Sequence, residues 1–339
     1  MSAYRAFQVT GSRNFELVDR EVTAPPVGHV RIKVENCGVC HSDVLAVEGM
    51  REDPSRPVVP GHELVGVIDA VGDGVNTWRV GERVGVGFLA GQCNECEFCR
   101  RGDFVNCTDQ PLTGSSVDGG YAEMVIARST GLVRIPEAMS SVDAAPLLCA
   151  GLTVLSAIRQ VGSRPGALVA IQGIGGLGHL GVQYANRLGY RVVAIARGTE
   201  KAALAKQLGA DEYIDSSGED PGTALQNLGG AGAIVATAAS GSSMSPLLPG
   251  LAPRGRMIVV GAATDPLTVS TGDLVFGTRT ITGSLTGSAI DNEDNLDFSM
   301  RHNVRPMTEV FPLADAPKAY ERMMSGKARF RIVLDMAAG

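Results

Sequence analysis

The fold is decided at Ile171-Gln172-Gly173-Ile174-Gly175-Gly176-Leu177-Gly178, where an apolar run ends in a loop with the glycine spacing G-x-G-x-x-G. A predicted strand at 168–171 precedes the loop, and a predicted helix at 177–188 follows it. Here the first glycine permits the turn, the second lets a pyrophosphate approach the backbone, and the third lets the helix pack on the strand. The loop therefore predicts a dinucleotide site formed by Gly173, Gly175, Gly176, Leu177 and Gly178. A tight turn without a ligand is the alternative in a chain with 43 glycines.

Apolar runs alternate with helical stretches on the C-terminal side of the loop as well. The runs lie at 168–171, 192–196, 212–214, 233–237, 257–260 and 280–282. Six strands joined by helices are typical of a doubly wound parallel sheet. The sequence therefore predicts a dinucleotide-binding Rossmann domain over residues 152–286.

The second predicted strand of this domain ends at Ala196-Arg197. In dinucleotide-binding domains the residues at this place distinguish NAD from NADP. A carboxylate at this place binds the ribose 2′-hydroxyl of NAD, but Ala196 carries none. A guanidinium such as that of Arg197 can instead pair with a 2′-phosphate, and we include the nearby Lys201 among the cofactor-binding residues. We predict NADP(H), with NAD(H) as the alternative if Arg197 is a solvated surface residue.

The remaining residues predict a second domain that is rich in short strands. Val30, Ile32 and Val34 alternate with polar residues, which is the period of a half-buried strand. Residues 287–339 lack the glycine-loop character and contain a predicted helix at 315–324 and a predicted strand at 331–334. We expect this tail to complete the domain formed by residues 1–151. The fold class is therefore α/β, with one mostly-β domain and one doubly wound parallel sheet.

Seven cysteines lie in the first 149 residues, and four of them are close together in one loop. An odd number in a long chain does not fit a secreted disulfide framework. The loop has the pattern Cys93-x2-Cys96-x2-Cys99-x7-Cys107, which suits one tetrahedral Zn²⁺ with no open position. An iron–sulfur run would place its fourth cysteine closer to the third. Four idle or disulfide-paired cysteines are the alternative.

A second set of metal-binding residue types is spread along the sequence. It comprises Cys40-His41-Ser42-Asp43, Gly61-His62-Glu63 and Cys149. Two cysteines and one histidine leave one position open on a tetrahedral zinc, as a catalytic site requires. Spacing alone leaves other readings open, because Cys149 could be a core thiol, His62 could cap a strand, and Cys37-x-x-Cys40 could be a redox pair.

Length and charge exclude several classes of protein. A chain of 339 residues exceeds the roughly 250–300 that one core supports. With 30 basic and 36 acidic residues, the net charge of −6 gives no support for binding nucleic acid or an anionic membrane. A zinc-ribbon nucleic-acid binder would need a basic face, whereas the four-cysteine loop carries Glu95, Glu97 and Asp103.

No targeting segment or membrane span is predicted. Residues 1–5 have no apolar run, and so they do not form a signal peptide. The longest membrane-like stretch, 167–185, is too polar and too rich in glycine to span a bilayer. We expect a cytoplasmic protein.

Several motifs together resemble the zinc-dependent medium-chain alcohol dehydrogenases. They are the glycine loop, the four-cysteine loop and the stretches at 37–43, 59–63 and 146–151. The stretches at 281–284 and 330–335 are most similar to the cinnamyl alcohol dehydrogenase and bacterial aldehyde reductase branch. The resemblance implies a GroES-like catalytic domain beside the Rossmann domain. It also implies a homo-oligomer, a dimer or a tetramer.

The resemblance implies hydride transfer between NADP(H) and a primary alcohol or aldehyde, of aromatic or allylic type. An NAD-dependent ethanol-type enzyme is the alternative within the family. A non-catalytic zinc-stabilised binding protein and a metal-independent quinone or enoyl reductase are the alternatives outside it.

The resemblance also assigns roles to individual residues. Two zinc ions are implied per chain: a catalytic one bound by Cys40, His62 and Cys149, the ligand set known for alcohol dehydrogenases, and a structural one bound by Cys93, Cys96, Cys99 and Cys107. The resemblance further implies that Asp43 bonds the far nitrogen of His62 and that Glu63 lies behind the metal. Ser42 would bond the substrate oxygen, and His41 and Arg331 would contact the cofactor pyrophosphate.

The sequence departs from the family pattern at the proton path and the substrate pocket. Leu45 stands where some relatives have a histidine that completes the proton relay. The stretch 49–52 lacks the tryptophan that narrows ethanol-type pockets, while Phe88 remains as a lining aromatic residue. We therefore expect a wider pocket that accepts aromatic or longer aldehydes.

Overall fold

The chain divides into two compact units in a computed structural model that describes residues 3–338. One unit comprises the described residues up to Leu152 together with those from Gly287 onward. The other unit comprises Thr153–Thr286. We describe each unit separately.

The first unit is built mainly from strands. Its strands are β1 (Ala3–Val9), β2 (Phe15–Glu21), β3 (His29–Val39), β4 (Leu64–Val71), β5 (Arg83–Val86), β6 (Met124–Arg128), β7 (Leu132–Arg134), β14 (Thr308–Pro312) and β15 (Arg331–Asp335). Its helices are α1 (Val44–Val47), α2 (Glu97–Arg100), α3 (Ser141–Pro146), α10 (Ala289–His302) and α11 (Ala316–Met324). A π-helical turn, Leu147–Gly151, follows α3 directly.

The long strand β3 lies at the centre of this unit. The main sheet has the order β14-β15-β3-β4-β5-β7, and β6 also pairs with β3. The side chains of Val30, Ile32 and Val34 are buried, as their alternation predicts. The C-terminal strand β15 runs antiparallel to β3, with Leu334 opposite Cys37. The sheet thereby fixes the end of β3, from which the chain enters the stretch 40–43.

The second unit is a doubly wound sheet. Its strands are β8 (Leu168–Gln172), β9 (Arg191–Ala196), β10 (Glu212–Asp215), β11 (Ala231–Ala236), β12 (Leu251–Val259) and β13 (Thr280–Gly283). All pairings are parallel, in the order β10-β9-β8-β11-β12-β13. Its helices are α4, which begins one residue before the unit (Leu152–Arg159), α5 (Gly178–Arg187), α6 (Ala202–Gln207), α7 (Pro221–Asn227), α8 (Gly241–Met244) and α9 (Thr271–Gly277). The predicted fold class is confirmed.

Two differences from the sequence prediction have a physical reason. Strand β12 begins at Leu251 rather than near 257, because its pairing with β11 continues across a register shift between Ala231 and Ala233. Helix α10 was not predicted at all. Its buried face is largely polar, with Asn292, Asn295 and Ser299 beside Leu296, and so no apolar periodicity marks it.

One helical stretch among the described residues has the length and apolar character of a membrane span. It is Ser141–Arg159, and 78% of its most apolar window is buried within the protein. The stretch 167–185, which the sequence pointed to first, is instead divided between β8 and α5.

Candidate active site

The end of β3 brings Cys40 into a turn that a carboxylate stabilises. Cys40 is still extended, and a short 3₁₀ turn, His41–Asp43, follows it. The Cys40 N–H donates to Asp43 Oδ2 over 2.9 Å. The hydroxyl of the buried Tyr121 donates to the same oxygen, also over 2.9 Å. Asp43 therefore holds the turn that presents the Cys40 thiol.

His62 is oriented by the other oxygen of the same carboxylate. Its Nδ1 lies 2.9 Å from Asp43 Oδ1, and both side chains are buried. This contact places the Nδ1 proton toward Asp43 and leaves Nε2 as the free nitrogen. Nε2 is buried without a hydrogen-bond partner among the described residues. A buried polar atom in this position calls for a ligand.

Cys149 completes the group from the π-helical turn. Its Sγ lies 4.0 Å from Cys40 Sγ. One ligand atom each from Cys40, His62, Glu63 and Cys149 lies within 4.8 Å of all the others. Two sulfurs on one tetrahedral zinc stand about 3.8 Å apart for the usual bond length. The donor set and its spacing therefore fit a zinc ion.

The carboxylate of Glu63 is held on the far side by an arginine. Arg331 on β15 donates from its Nη2 to Glu63 Oε1, and both side chains are buried. Glu63 Oε2 lies so close to Gly38 that a Cβ atom there would be 1.9 Å away. Burial raises the pKa of Glu63 to about 8, although Arg331 opposes that shift.

Contacts within the ligand group shift the pKa values of the two thiols in opposite directions. A hydrogen bond from Cys149, with the nearby His62, lowers the pKa of Cys40 well below its usual value. The same hydrogen bond, together with burial, raises the pKa of Cys149 well above it. Burial acts to lower the pKa of His62, but the charges of Asp43 and Cys40 raise it. A divalent cation would replace these protons and stabilise both thiolates.

The four-cysteine loop forms a second compact group. Ligand atoms of Cys93, Cys96, Cys99 and Cys107 all lie within 4.8 Å of one another, and all four cysteines are free thiols. Backbone N–H groups donate to Sγ of Cys93 and Cys107 at 3.3–3.4 Å. Backbone hydrogen bonds lower the pKa of Cys96 to about 6, whereas burial raises that of Cys99 to about 12. Four convergent sulfurs fit a closed zinc site.

Cys37 is separate from both groups. Its Sγ lies among backbone atoms, where a Cβ at Gly61 or Gly120 would approach it to 2.8 and 2.7 Å. Cys37 and Cys40 are both free thiols, and of the two only Cys40 belongs to the ligand group. Cys37 is the core thiol of this region.

The glycine loop of the second unit has the geometry of a phosphate-binding turn. Gly173 has a φ of 90°, in the region that favours glycine. A Cβ at Gly178 would lie 1.6 Å from the Gly173 carbonyl oxygen, whereas a Cβ at Gly175 would meet nothing within 4 Å. Helix and strand therefore approach closely while the middle of the loop stays open.

The residues predicted to recognise the cofactor lie at two places. Arg197 is exposed at the end of β9, and Lys201 Nζ donates to the carbonyl oxygen of Ile174 in the glycine loop over 2.9 Å. Arg331 instead belongs to the first unit and pairs with Glu63. Its predicted contact with a pyrophosphate stays a prediction, as do the roles of the half-buried Ser42 and the exposed His41.

Comparisons with known proteins give one family for the whole chain. Residues 26–137 match the alcohol dehydrogenase GroES-like domain, and residues 176–300 match the zinc-binding dehydrogenase domain. The alcohol dehydrogenase notN of Aspergillus sp. (strain MF297-2) is 44% identical over 94% of this chain and 93% of its own length. The chain belongs to the zinc-binding alcohol dehydrogenase family.

Solved structures of this family have the same fold. A cinnamyl alcohol dehydrogenase from Sorghum bicolor superposes with a TM-score of 0.90 at 32% identity, covering 100% of this chain and 99% of that one. A cinnamyl alcohol dehydrogenase from Helicobacter pylori, complexed with NADP(H), gives 0.88 at 27% identity and 99% of each chain. This alcohol dehydrogenase is thus an oxidoreductase whose substrates are small alcohols or aldehydes.

Sequence reasoning missed some residues around the alcohol dehydrogenase site. Tyr121 is not part of any local motif, and only the fold brings it to Asp43. Asn292 and Asn295 of α10 donate to backbone carbonyls beside Cys149. The one available signal was the pair Ser288 and Asp291, which forms a capping box and marks the start of α10.

Proposed function

We propose that this chain transfers hydride between NADP(H) and a primary alcohol or its aldehyde, of aromatic or allylic type, with a catalytic zinc. The observation that carries the proposal is the convergence of Cys40, His62 and Cys149 around the unpartnered Nε2 of His62. Three protein ligands leave one coordination position for the substrate oxygen. A zinc ion there supplies Lewis acidity toward that oxygen.

Asp43 keeps the imidazole of His62 ready to bind the metal. Because Oδ1 lies 2.9 Å from Nδ1, the ring presents Nε2 in its unprotonated form when a cation is bound. Tyr121 and the Cys40 N–H occupy the other oxygen, and so the carboxylate has little freedom to turn. These contacts fix the ring before substrate arrives.

Glu63 and Arg331 form a buried ion pair behind the ligand group. We propose that Glu63 tunes the metal charge, or replaces a ligand briefly when the substrate exchanges. Arg331 holds one carboxylate oxygen and leaves the other, Oε2, without a hydrogen-bond partner among the described residues. That free oxygen is the one available to approach a cation.

Ser42 is proposed to bond the substrate oxygen and to carry its proton outward. It lies on the turn between Cys40 and Asp43, and it is half-buried next to the exposed His41. Leu45 cannot relay a proton, and so the proton leaves by His41, the cofactor ribose or water. In the reverse direction the same hydroxyl returns a proton to the newly formed alcohol.

Cofactor binding is proposed at the glycine loop, with the 2′-phosphate of NADP(H) on Arg197. The support is the open space above Gly175, the absence of a carboxylate at Ala196, and the exposed guanidinium. Lys201 lies across the loop at Ile174 and adds a second positive charge there. His41 and Arg331 are also proposed to contact the pyrophosphate.

The substrate class rests on the aromatic residue beside the ligands. The rings of Phe88 and His62 meet edge to face with their centroids 5.1 Å apart, so that Phe88 borders the proposed metal position. No tryptophan occupies 49–52 to narrow the site. We propose that flat aromatic or allylic aldehydes stack on Phe88 better than ethanol does.

Two zinc ions per chain are proposed, the second one in the four-cysteine loop, where it would hold that loop rather than react. Free cysteine thiols suit a compartment that keeps cysteines reduced, and we therefore propose a cytoplasmic enzyme.

We also propose a homo-oligomer, a dimer or a tetramer, that forms at the edge of the parallel sheet where β13 lies.

The experiment that tests the proposed function is a steady-state assay of NADPH oxidation with cinnamaldehyde, benzaldehyde and acetaldehyde. We expect the highest kcat/KM with cinnamaldehyde and loss of turnover after prolonged chelation. Adding back zinc, but not magnesium, should restore it, because sulfur and nitrogen ligands do not suit magnesium. Turnover that survives complete removal of the metal would contradict the proposal, as would a zinc-loaded protein that reduces no aldehyde.

A further inference from the structure

The turn that carries Cys149 has an unusual hydrogen-bond register. The N–H of Leu152 donates to the carbonyl oxygens of Leu147, five residues back, and Cys149, three residues back. In an α-helix it would donate to Leu148, four residues back. The widened turn follows Pro146, which has no N–H to donate. Single π-helical turns are rare and frequently lie at functional sites, and contacts from outside the helix can stabilise their register.

Two buried asparagines of α10 provide those contacts. Asn292 Nδ2 donates to the Leu148 carbonyl oxygen over 2.8 Å, and Asn295 Nδ2 donates to that of Leu147 over 2.9 Å. Asn295 also donates to Asn292 Oδ1 over 3.3 Å, so that the two amides are linked. Their exposed fractions are 2% and 0%. Burying two amides is costly unless each is bonded, and here both bond consecutive carbonyls of one turn.

A glycine shows how closely the same contact is packed. A Cβ at Gly87 would lie 2.8 Å from the Leu148 carbonyl oxygen and 3.3 Å from Asn292 Nδ2. The next residue is Phe88, whose ring meets that of His62. The Asn292–Leu148 hydrogen bond therefore lies against the segment that leads to the ring beside His62, as well as against the turn that carries Cys149.

We infer that Asn292 and Asn295 are positioning residues for the Cys149 ligand. Their amides hold the carbonyls of Leu147 and Leu148, and this keeps the π-helical turn in the register that places Cys149 Sγ 4.0 Å from Cys40 Sγ. The inference rests on the proposed function, because it assumes that Cys149 binds the metal. It assigns to α10 a role in metal retention in addition to its role in the fold.

The test measures how fast zinc leaves the holoenzyme in the presence of a chromogenic chelator. The wild type should release its zinc in two phases, and Cys149→Ser should abolish one of them, which identifies the catalytic site. In Asn292→Leu, of similar volume but without the donor, we expect that phase to be about 10- to 100-fold faster, the usual effect of losing a hydrogen bond behind a ligand. The other phase should stay unchanged.

Two further variants separate positioning from general stability. Asn292→Ser keeps a hydroxyl that is too short to reach Leu148, and should accelerate the same phase even if Asn292→Leu does not fold. Leu296→Ala removes a buried apolar side chain from the same helix, and should lower the melting temperature without accelerating zinc release.

Cobalt substitution gives a readout that does not depend on turnover. We expect the thiolate-to-cobalt absorption band to shift in Asn292→Leu and in Asn292→Ser but not in Leu296→Ala. Unchanged release and an unchanged band in a folded Asn292 variant would overturn the inference, as would equal acceleration in Leu296→Ala. If Cys149→Ser retains both phases of zinc release, the proposed function fails as well. Failure of the inference alone is therefore distinguished from failure of the proposed function.

Discussion

Asp43 is the residue on which the candidate site depends most directly. Its carboxylate meets the backbone of Cys40, the hydroxyl of Tyr121 and the ring of His62 within 2.9 Å. Each partner is buried, and so removal of the carboxylate would leave unpaired donors in the protein interior. The ligand geometry is therefore stabilised by one side chain that does not itself reach the proposed metal position.

Arg197 is the residue that tests the cofactor assignment. Arg197→Asp replaces a guanidinium by a carboxylate at the place where we propose a 2′-phosphate. We expect KM for NADPH to rise about tenfold to a hundredfold, because losing one charged hydrogen bond weakens binding by about that factor or somewhat less. KM for NADH should change little. The measurement is the ratio of the two kcat/KM values.

Arg164→Asp is the matched control for this substitution. It makes the same change of charge at another exposed arginine of the same unit. It should leave the ratio of the cofactors unchanged. If Arg197→Asp lowers kcat/KM equally for NADPH and NADH, Arg197 does not bind the 2′-phosphate.

At the residue scale, sequence reasoning finds what lies in short motifs. Cys40, His62 and Cys149 are each flanked by distinctive neighbours, and the structure brings the three together. The pairing of Glu63 with Arg331 joins residues 268 positions apart, and no local pattern connects them. Contacts of this kind depend on the register of β15 beside β3, which only the folded chain determines.

The edge of the parallel sheet formed by β13 is where we propose that a second chain binds. Strand β13 pairs only with β12 among the described residues, and so its other edge is unpaired. On α9, Val275 and Phe276 are 71% and 94% exposed. An open strand edge and an exposed aromatic ring are typical liabilities of a monomer and typical features of a subunit contact.

Phe276→Asp should therefore weaken the proposed oligomer. We expect size-exclusion chromatography with light scattering to show a decrease in mass toward that of the single chain, because a carboxylate would be desolvated at the contact. Val80→Asp, at a similarly exposed apolar position of the first unit, is the control and should leave the mass unchanged. A wild type that is monomeric at working concentrations would contradict the proposed assembly.

The elements differ in how well the sequence predicts them. The six strands of the second unit could be located because each contains a short apolar run, and β8 is buried along its whole length. The first half of β12 could not, because Arg254 and Arg256 interrupt its apolar pattern. Helix α10 and the π-helical turn could not. The buried face of α10 is polar, and the π-helical turn is defined by its backbone hydrogen bonds, which no pattern of side chains marks.

At the scale of the whole molecule, both groups of candidate metal ligands lie in one unit and the glycine loop lies in the other. The alternation of strand and helix, with the cysteine distribution, predicts this division of labour from the sequence. The fold class and the family follow from it, since each motif lies in the structural context that its chemistry needs. The choice between dimer and tetramer depends on surfaces, whose side chains follow no periodic pattern.

The central claim is that Cys40, His62 and Cys149 hold a catalytic zinc ion. The most direct measurement is the zinc content of purified Cys149→Ser, with Cys37→Ala as the control that removes a buried thiol outside the group. We expect about two zinc ions per chain in the wild type and in Cys37→Ala, and about one, without turnover, in Cys149→Ser. A Cys149→Ser protein that retains both zinc ions and its activity would contradict the claim.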